Sequence, residues 1–357
     1  MHTGFDGKAL PFLIGSLPLT DHEAAARLVW HYTPQVPLWV QLTRLPGENM
    51  IDQFAPGLPA LRSEAGRPVL DTASDGFESE LVAFYEDFMA VHEGRAELEG
   101  SRFGLGPDAI KGLFVLLAHL AQAQTTPHLV KGQVTGPFTL GTAIQDARGR
   151  AVFFDPQLRD VLVKLLALRA RWQVRKLAAF GRPVLLSIDE PVLTGFGSSE
   201  YISVSREEVA AGLAEIIDAV HQEGGLAGIH VCGNTDWALI LESAADVVSF
   251  DAFAYFDRFF LYRSELERFL DSGRILAWGI VPTLSPEDLE RHTADTLTGL
   301  LLSQAERVLS LGLTRSRLIA QSLVSPACGM GSLTEALALK ALELTREVAA
   351  RFRQALM

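Results

Sequence analysis

The sequence alternates short aliphatic and β-branched runs with longer segments of helical periodicity, and this alternation constrains the fold more than any other feature. Short apolar runs are typical of buried strands, whereas apolar residues at i, i+3, i+4 and i+7 indicate helices. Strands that alternate with helices favour βα units and a parallel sheet. We predict eight strands, over residues 11–15, 37–42, 128–134, 183–189, 226–231, 246–251, 274–280 and 317–323.

Eight βα units close most simply into a (β/α)8 TIM barrel, so we predict an α/β fold of this type. The alternative is an open doubly wound sheet, but the glycine-rich nucleotide fingerprint is missing after the first strand. The segment of residues 43–127, between strands two and three, is longer than one helix requires. We predict that it is a helical insertion of two or three helices that partly covers the barrel mouth. With no linker or short repeat among 357 residues, we predict a single domain over 1–357.

Several segments carry the signals that start helices. Ser205 is followed three residues later by Glu208, which is the pattern of a capping box. Ser285 precedes Pro286, and proline suits the first helical position. We predict long helices over 155–180, 205–224, 285–312 and 332–356, the last of them capped by Ser332 or Thr334.

Composition excludes several classes of partner. The formal net charge is −12 and no run is rich in lysine and arginine, which argues against nucleic acid or an anionic membrane surface as partner. No stretch approaches the roughly 18 apolar residues of a membrane span, and residues 1–20 lack the continuous apolar region of a signal peptide. Two cysteines are too few for a disulfide framework. We therefore expect a cytoplasmic protein.

A histidine and a cysteine lie two residues apart at the end of the fifth predicted strand. Residues i and i+2 of a strand point to the same face, so His230 and Cys232 can reach one point in space. Cys328 follows the last predicted strand, and the loops after barrel strands converge on one pocket. One imidazole and two thiolates suit a catalytic zinc ion with an open position, and Asp251, which ends the sixth strand, is a candidate fourth ligand.

The same residues also have a purely structural interpretation. A histidine near a cysteine in a strand is often a core histidine beside a small buried thiol. Two observations favour a metal. Both cysteines follow predicted strands on the same side of the barrel, and Gly233 and Gly329 come directly after them, where glycine allows tight loops.

Five segments resemble one barrel superfamily. The sequence at 228–251 resembles the zinc-site segment of the methylcobamide:coenzyme M methyltransferases, relatives of uroporphyrinogen decarboxylase. Four other segments resemble the catalytic half of cobalamin-independent methionine synthase: "IGSLPLT" (14–20), "KGQVTGPFTL" (131–140), "SIDEPVL" (187–193) and "SPACGMGSLTEALALKA" (325–341).

This resemblance implies transfer of a methyl group to a thiol by a zinc-dependent thiol S-methyltransferase. By position, His230, Cys232 and Cys328 match zinc ligands. Asp251 falls where the methionine synthases have a ligating glutamate, and its side chain is one methylene shorter. A free thiol is mostly protonated at neutral pH, and coordination to zinc supplies the thiolate.

The resemblance also implies an acceptor, with homocysteine as the leading candidate. Asp189 matches the residue that holds the amino group of homocysteine, and Gly15 and Ser16 match backbone amides that meet its carboxylate. Glu48 matches a further glutamate that contacts homocysteine. A carboxylate at a strand end suits an ammonium group, and a nest of N–H groups suits a carboxylate. Asp189 and Asp251 are therefore the predicted catalytic carboxylates, although a loop with a helix-capping carboxylate would also explain residues 189–191.

One departure from the family bears on the methyl donor. The methionine synthases carry a histidine after the seventh strand, which acts as an acid toward the folate leaving group, whereas this chain has Gly279 near that place. A methylcorrinoid donor leaves without protonation. We therefore predict methylcobalamin, bound to a separate corrinoid protein, as the methyl donor.

Two other functions remain open at this point. Residues 36–44 loosely resemble an entry segment of uroporphyrinogen decarboxylase, which would make the chain a metal-free tetrapyrrole decarboxylase. Arg44 is the single candidate there for a substrate with many carboxylates, which argues against this function. The second is a non-catalytic barrel that binds zinc, a corrinoid or a thiol, as the shorter Asp251 and the missing histidine would suggest.

Overall fold

The computed structural model describes residues 5–64, 66–123 and 126–357. Within these ranges the chain forms ten strands and thirteen α-helices. The strands are β1 (Leu10–Pro11), β2 (Leu61–Glu64), β3 (Arg67–Leu70), β4 (Val130–Thr135), β5 (Gln145–Asp146), β6 (Val184–Asp189), β7 (Leu226–Val231), β8 (Val247–Phe250), β9 (Ile275–Val281) and β10 (Ser322–Pro326). The helices are α1 (His22–Tyr32), α2 (Phe77–His92), α3 (Lys111–Gln122), α4 (Pro137–Ala143), α5 (Pro156–Ala178), α6 (Arg206–Gln222), α7 (Trp237–Leu241), α8 (Ala252–Phe259), α9 (Arg263–Asp271), α10 (Pro286–Arg291), α11 (Ala294–Leu309), α12 (Arg315–Ala320) and α13 (Glu335–Leu356).

The main sheet is curled and consists of seven parallel strands in the order β1-β10-β9-β8-β7-β6-β4. Its register places Asp189, the last residue of β6, beside His230 of β7. Because the strands are parallel, all their carboxyl ends meet at one edge of the sheet. The predicted α/β class is therefore confirmed, with a sheet that is compatible with a TIM-like barrel but is not a fully closed ring.

The predicted strand 37–42 is wrong as a continuous strand. It crosses the gap between the two edge strands β1 and β4, which we call the seam. Two isolated bridges connect it to the neighbouring backbone, Ser16–Gln41 on one side and Leu38–Lys131 on the other. The predicted closed (β/α)8 barrel is therefore corrected to seven paired strands and a seam.

Side chains explain why the ladder stops at the seam. The amide Nε2 of Gln133 donates to the carbonyl of Trp39 at 2.9 Å. The ammonium group of Lys131 donates to the carbonyl of Ile14. Because these carbonyls accept from side chains of β4, regular strand pairing does not continue through them.

The predicted strand 317–323 is also wrong in its position. Residues 315–320 form α12, and β10 begins only at Ser322. The hydroxyl of Thr314 accepts a hydrogen bond from the Arg317 amide at 3.2 Å and caps the helix. This N-cap starts a helical turn where the short apolar run alone suggested a strand.

The other helix starts follow the capping signals. Ser205 and Glu208 form the predicted capping box, and Thr334, one of the two predicted caps, begins α13. The single predicted helix 285–312 is two helices, because Thr293 forms a second capping box with Thr296 after α10 has ended.

The described part of the segment 43–127 contains two α-helices, α2 and α3, which agrees with the predicted number, but neither contributes to the lining of the cavity at the mouth. The hydroxyl of Tyr85 in α2 donates to Asp160 of α5 at 2.8 Å, and Gly112 in α3 lies so close to Val40 that an added Cβ would come within 2.2 Å of its carbonyl oxygen. Both helices thus pack on the outside of the sheet. The segment also forms the hairpin β2–β3, which pairs with β5 and which the sequence did not predict. None of the helices in the described ranges is long and apolar enough to cross a membrane.

A separate apolar cluster fills the inside of the curled sheet near the amino ends of its strands. Its members come from strands on all sides of the curl and are nearly inaccessible to solvent: Leu10, Phe12, Ile14, Leu185, Val247, Ile275, Ala277 and Leu323, with Val36 and Leu129 from the adjoining segments. Packing of this cluster stabilises the amino ends of the strands and leaves their carboxyl ends free to carry polar groups.

Candidate metal centre and substrate cavity

A cavity of about 380 Å³ opens at the carboxyl edge of the sheet. Its walls include most of the residues that the sequence predicted for the site: Gly15, Ser16, Asp189, His230, Cys232 and Cys328. They come from four different places in the chain, and the parallel strands bring them together because each lies at or after the carboxyl end of a strand at this edge.

Three side chains of this cavity form a group of donor atoms suited to a metal ion. One donor atom each from His230, Cys232 and Cys328 lies within 4.8 Å of the others. Two bonds of about 2.3 Å from one zinc ion span up to about 4.6 Å, so the group is close to the size that one ion requires. His230 is buried, and both cysteines are free and partly exposed toward the cavity.

The hydrogen bonds of His230 leave one ring nitrogen available. Nδ1 lies 2.9 Å from the hydroxyl of Ser249 in β8, while Nε2 is buried and has no hydrogen-bond partner among the described residues. A buried ring nitrogen without a partner is unfavourable. A metal ion would satisfy it, and the contact from Ser249 is the kind that fixes the tautomer of a ligating histidine. The residues present therefore fit a zinc ion.

The two thiols influence each other's protonation. The hydrogen bond with Cys328 lowers the pKa of Cys232 well below its usual range, against the opposing effect of burial, and His230 lowers it further. The same hydrogen bond, together with burial, raises the pKa of Cys328. The two thiols thus favour deprotonation of Cys232, and thiolate is the form of cysteine that binds zinc.

The loop that carries Cys328 is held on both sides. The hydroxyl of Thr283 donates to the Cys328 carbonyl at 2.9 Å and accepts from its amide at 3.0 Å. On the other side, the Gly331 amide donates to the Ser16 hydroxyl at 3.1 Å. An added Cβ at Gly329 would lie 2.3 Å from that hydroxyl oxygen, so a larger residue here would displace the Ser16 hydroxyl from the Gly331 amide.

Asp189 lies in the wall of the same cavity as the turn at residues 15–16. The hydroxyl of Ser187, two residues earlier in β6, donates to its carboxylate at 2.7 Å. Burial raises the pKa of Asp189, and the positive charge of Lys131 and then that of His230 oppose this rise. The neighbouring Glu190, not Asp189, caps a helix, because its carboxylate accepts from the first amides of α4.

Two predicted site residues do not line the cavity. The carboxylate of Asp251 accepts from the Ala254 amide at 2.8 Å and caps α8. Burial raises its pKa to about 6. The carboxylate of Glu48 lies 2.8 Å from Nε2 of His22 and accepts from the Leu42 amide at 3.1 Å. In the described structure neither Asp251 nor Glu48 lines the cavity, and Asp251 is not part of the group of donor atoms that lie within 4.8 Å of one another.

The sequence missed a set of supporting side chains one layer below the cavity. Ser187, Ser249 and Lys131 contact Asp189, His230 and Ile14 respectively. A signal for them exists, because each occupies a position on a strand where alternation points the side chain to the same face as the cavity residues. Their partners could not be predicted, since they lie on other strands or at the seam.

Comparisons with known proteins agree with this architecture. Residues 107–351 match the family model described as "Cobalamin-independent synthase, Catalytic domain". The chain is similar in fold to a putative vitamin-B12 independent methionine synthase from Listeria monocytogenes, with 13% identity, a TM-score of 0.52, and 98% of this chain and 99% of that chain covered. A B12-independent methionine synthase from Shewanella sp. W3-18-1, in complex with selenomethionine, aligns with 16% identity and a TM-score of 0.48 over 68% of this chain and 67% of that chain. No curated protein matches the chain significantly. The predicted corrinoid donor finds no support in the family description.

Proposed function

Because the chain belongs to the family of cobalamin-independent synthase catalytic domains, we propose that it is a methyltransferase that moves a methyl group to the sulfur of a small thiol. Homocysteine is the leading acceptor. The observation that carries this proposal is the group formed by His230, Cys232 and Cys328 in the wall of a cavity of about 380 Å³. That volume lies within the usual range for sites that bind small molecules.

The three donors would hold zinc, and bound zinc would supply the acceptor sulfur as a thiolate at neutral pH. Ser249 keeps the His230 ring oriented through Nδ1, which leaves Nε2 available to bind the ion. The two backbone contacts from Thr283 hold the loop of Cys328 in place. In this proposal Asp251 caps α8 through Oδ1, which accepts from the Ala254 amide, and its carboxylate is also the candidate fourth ligand.

The amino-acid end of the acceptor would lie between Asp189 and the turn at Gly15 and Ser16. Asp189 can accept hydrogen bonds from an ammonium group, and Ser187 orients its carboxylate for this purpose. The amides of the turn can donate to a carboxylate. The contacts of Glu48 with His22 support a role in holding the loop that carries Asn49 and Met50 into the cavity wall.

The methyl donor has two candidates. The family description names a cobalamin-independent synthase, which favours a donor other than a corrinoid. A corrinoid donor remains the second candidate because of one observation. Among the described residues, the titratable groups that line the cavity are Asp189, His230, Cys232 and Cys328. If these hold the metal and the ammonium group, none is left to protonate a folate nitrogen.

A tetrapyrrole decarboxylase is disfavoured by the cavity. No arginine or lysine is among its described lining residues, although a substrate with many carboxylates would need several. Arg44, the single candidate, donates to the Leu333 carbonyl at 3.2 Å instead.

The test is a methyl-transfer assay on the full chain after zinc loading and metal analysis. We expect one zinc per chain and formation of methionine from homocysteine with either methyltetrahydrofolate or methylcobalamin, and the active donor decides between the two candidates. Stoichiometric zinc without product from any pairing of these donors with homocysteine or a panel of small thiols would contradict the proposal and identify a binding barrel. Activity that survives complete removal of metal would contradict the zinc assignment.

A further inference from the structure

Lys131 is a completely buried lysine inside the curled sheet. Burial lowers its pKa to about 8, and the negative charge of Asp189 opposes this shift. In the described part of the chain no carboxylate reaches salt-bridge distance from its Nζ, and its nearest aromatic contact is the Phe12 ring at 5.5 Å. An apolar side chain in this place would be as stable or more stable, because burying an ammonium group is costly. Stability alone therefore does not account for a lysine here.

One contact of Lys131 acts on the turn that lines the cavity. Its ammonium group donates to the carbonyl of Ile14 across the seam. In a planar trans peptide the C=O and the following N–H point in opposite directions. By holding the Ile14 carbonyl, Lys131 therefore fixes the direction of the Gly15 amide. Gly15 has little freedom to shift, since its Cα faces Gln41 and Gln133, with an added Cβ only 3.3 Å from the Gln41 Oε1.

The second influence of Lys131 is on Asp189, another residue of the cavity wall. The buried ammonium group of Lys131 and the carboxylate of Asp189 attract each other. One buried charge thus acts on both Gly15 and Asp189, the groups that would bind the amino-acid end.

Resting on the proposed function, we propose that Lys131 is a positioning residue that makes the cavity selective for thiols carrying both an ammonium and a carboxylate group. It contacts neither the candidate metal ligands nor the sulfur end of the cavity in the described structure. Its replacement is therefore expected to change recognition of the amino-acid end and to leave zinc binding unchanged.

The test combines a substitution in the protein with changes in the acceptor, as in a double-mutant cycle. Calorimetry measures the affinity of each acceptor for the zinc-loaded full chain. Four acceptors share the same three-carbon thiol chain: homocysteine, 4-sulfanylbutanoate without the ammonium group, 3-aminopropanethiol without the carboxylate, and propanethiol without either. For the wild type we expect homocysteine to bind at least about tenfold more tightly than any of the others. In Lys131→Met we expect this ratio to fall to about threefold or less, with propanethiol affinity and zinc content unchanged.

Lys111→Met is the matched control, because it removes the same group from an exposed position and should leave all four affinities unchanged. A Lys131→Met protein that weakens all four thiols equally, or none of them, would overturn the inference. If this variant does not fold, Lys131→Gln takes its place. Equal affinities of the wild type for the four thiols would overturn the inference without any variant. A wild type that binds none of them would instead contradict the proposed function, and the inference with it.

Discussion

The inside of the curled sheet has two ends that are built from the same strands and have opposite character. Toward the amino ends, Leu185, Val247 and Leu323 pack in an apolar cluster with almost no solvent contact. Toward the carboxyl ends, Asp189 and His230 come within hydrogen-bonding reach of hydroxyl groups and border a cavity. On the inner face of β6, only Ser187 lies between Leu185 at the apolar end and Asp189 at the polar end.

This difference separates stability from chemistry within one sheet. Burial of the apolar end contributes free energy of folding. The polar end holds a histidine nitrogen that has no hydrogen-bond partner among the described residues, and the buried ammonium group of Lys131 extends from a residue paired with Leu185; both groups oppose folding. We infer that the apolar layer stabilises strands whose other ends carry groups selected for binding. The following predictions test whether the two ends are separable, from the largest expected effect to the smallest.

The largest effect is expected from Cys232→Ser or Cys328→Ser at the polar end. A neutral hydroxyl cannot replace a thiolate, so zinc affinity should fall on the order of a thousandfold, while the unfolding free energy of the metal-free protein changes little. Zinc content after dialysis against a weak chelator measures this effect. Full zinc occupancy in both variants would refute the ligand assignment.

Leu185→Ala should have the converse effect at the apolar end. Truncation of a fully buried leucine leaves a cavity and is expected to lower the free energy of unfolding by about 2–5 kcal/mol. Denaturant unfolding measures this loss. Zinc content at saturation should stay at one per chain under conditions where the variant is folded, and a loss of zinc there would show that the two ends are coupled.

Asp189→Asn should weaken recognition of an amino-acid thiol without loss of zinc. The amide keeps the shape of the side chain but removes its charge, so homocysteine should bind about 10- to 100-fold more weakly. Calorimetric titration of the zinc-loaded protein measures this, with propanethiol as the control ligand. Unchanged homocysteine affinity would show that the acceptor binds in another orientation or is a different thiol.

The smallest effect concerns stability and is expected from Lys131→Met. At pH 7 the variant should be more stable by about 1 kcal/mol, because it removes a buried charge and loses one hydrogen bond to Ile14. The pKa of Lys131 is lowered to about 8 in the folded state. Above that pH the unfolded chain binds more protons than the folded one, so wild-type stability rises as the pH approaches the ordinary lysine pKa of about 10.4.

The difference between Lys131→Met and the wild type should therefore shrink and then reverse in sign between about pH 8 and pH 10, as the buried lysine of the wild type loses its proton. Denaturant unfolding of both proteins across this range measures the change. A constant difference at all pH values would show that Lys131 does not titrate in the folded protein.

The sequence predicted best where local chemistry decides the outcome. The strand over 226–231 and the capping box of Ser205 and Glu208 were confirmed without change, because a buried apolar run and an N-cap depend on neighbours in the chain. It failed where two local signals compete. In residues 317–323 the apolar run suggested a strand, and the cap at Thr314 started a helix instead. The split between α10 and α11 at Thr293 has the same cause.

The sequence by itself determined the inventory of the candidate site. It showed that His230 and Cys232 share a strand face, and that Cys328 and Asp189 follow or end strands whose carboxyl ends meet. Only the tertiary structure decided which of these groups become neighbours. It placed Cys328 with the other two donors, made the Asp251 carboxylate the cap of α8, and brought the Lys131 ammonium group to the Ile14 carbonyl. These contacts depend on how far the sheet curls and where its ladder stops, and local periodicity carries no information on either.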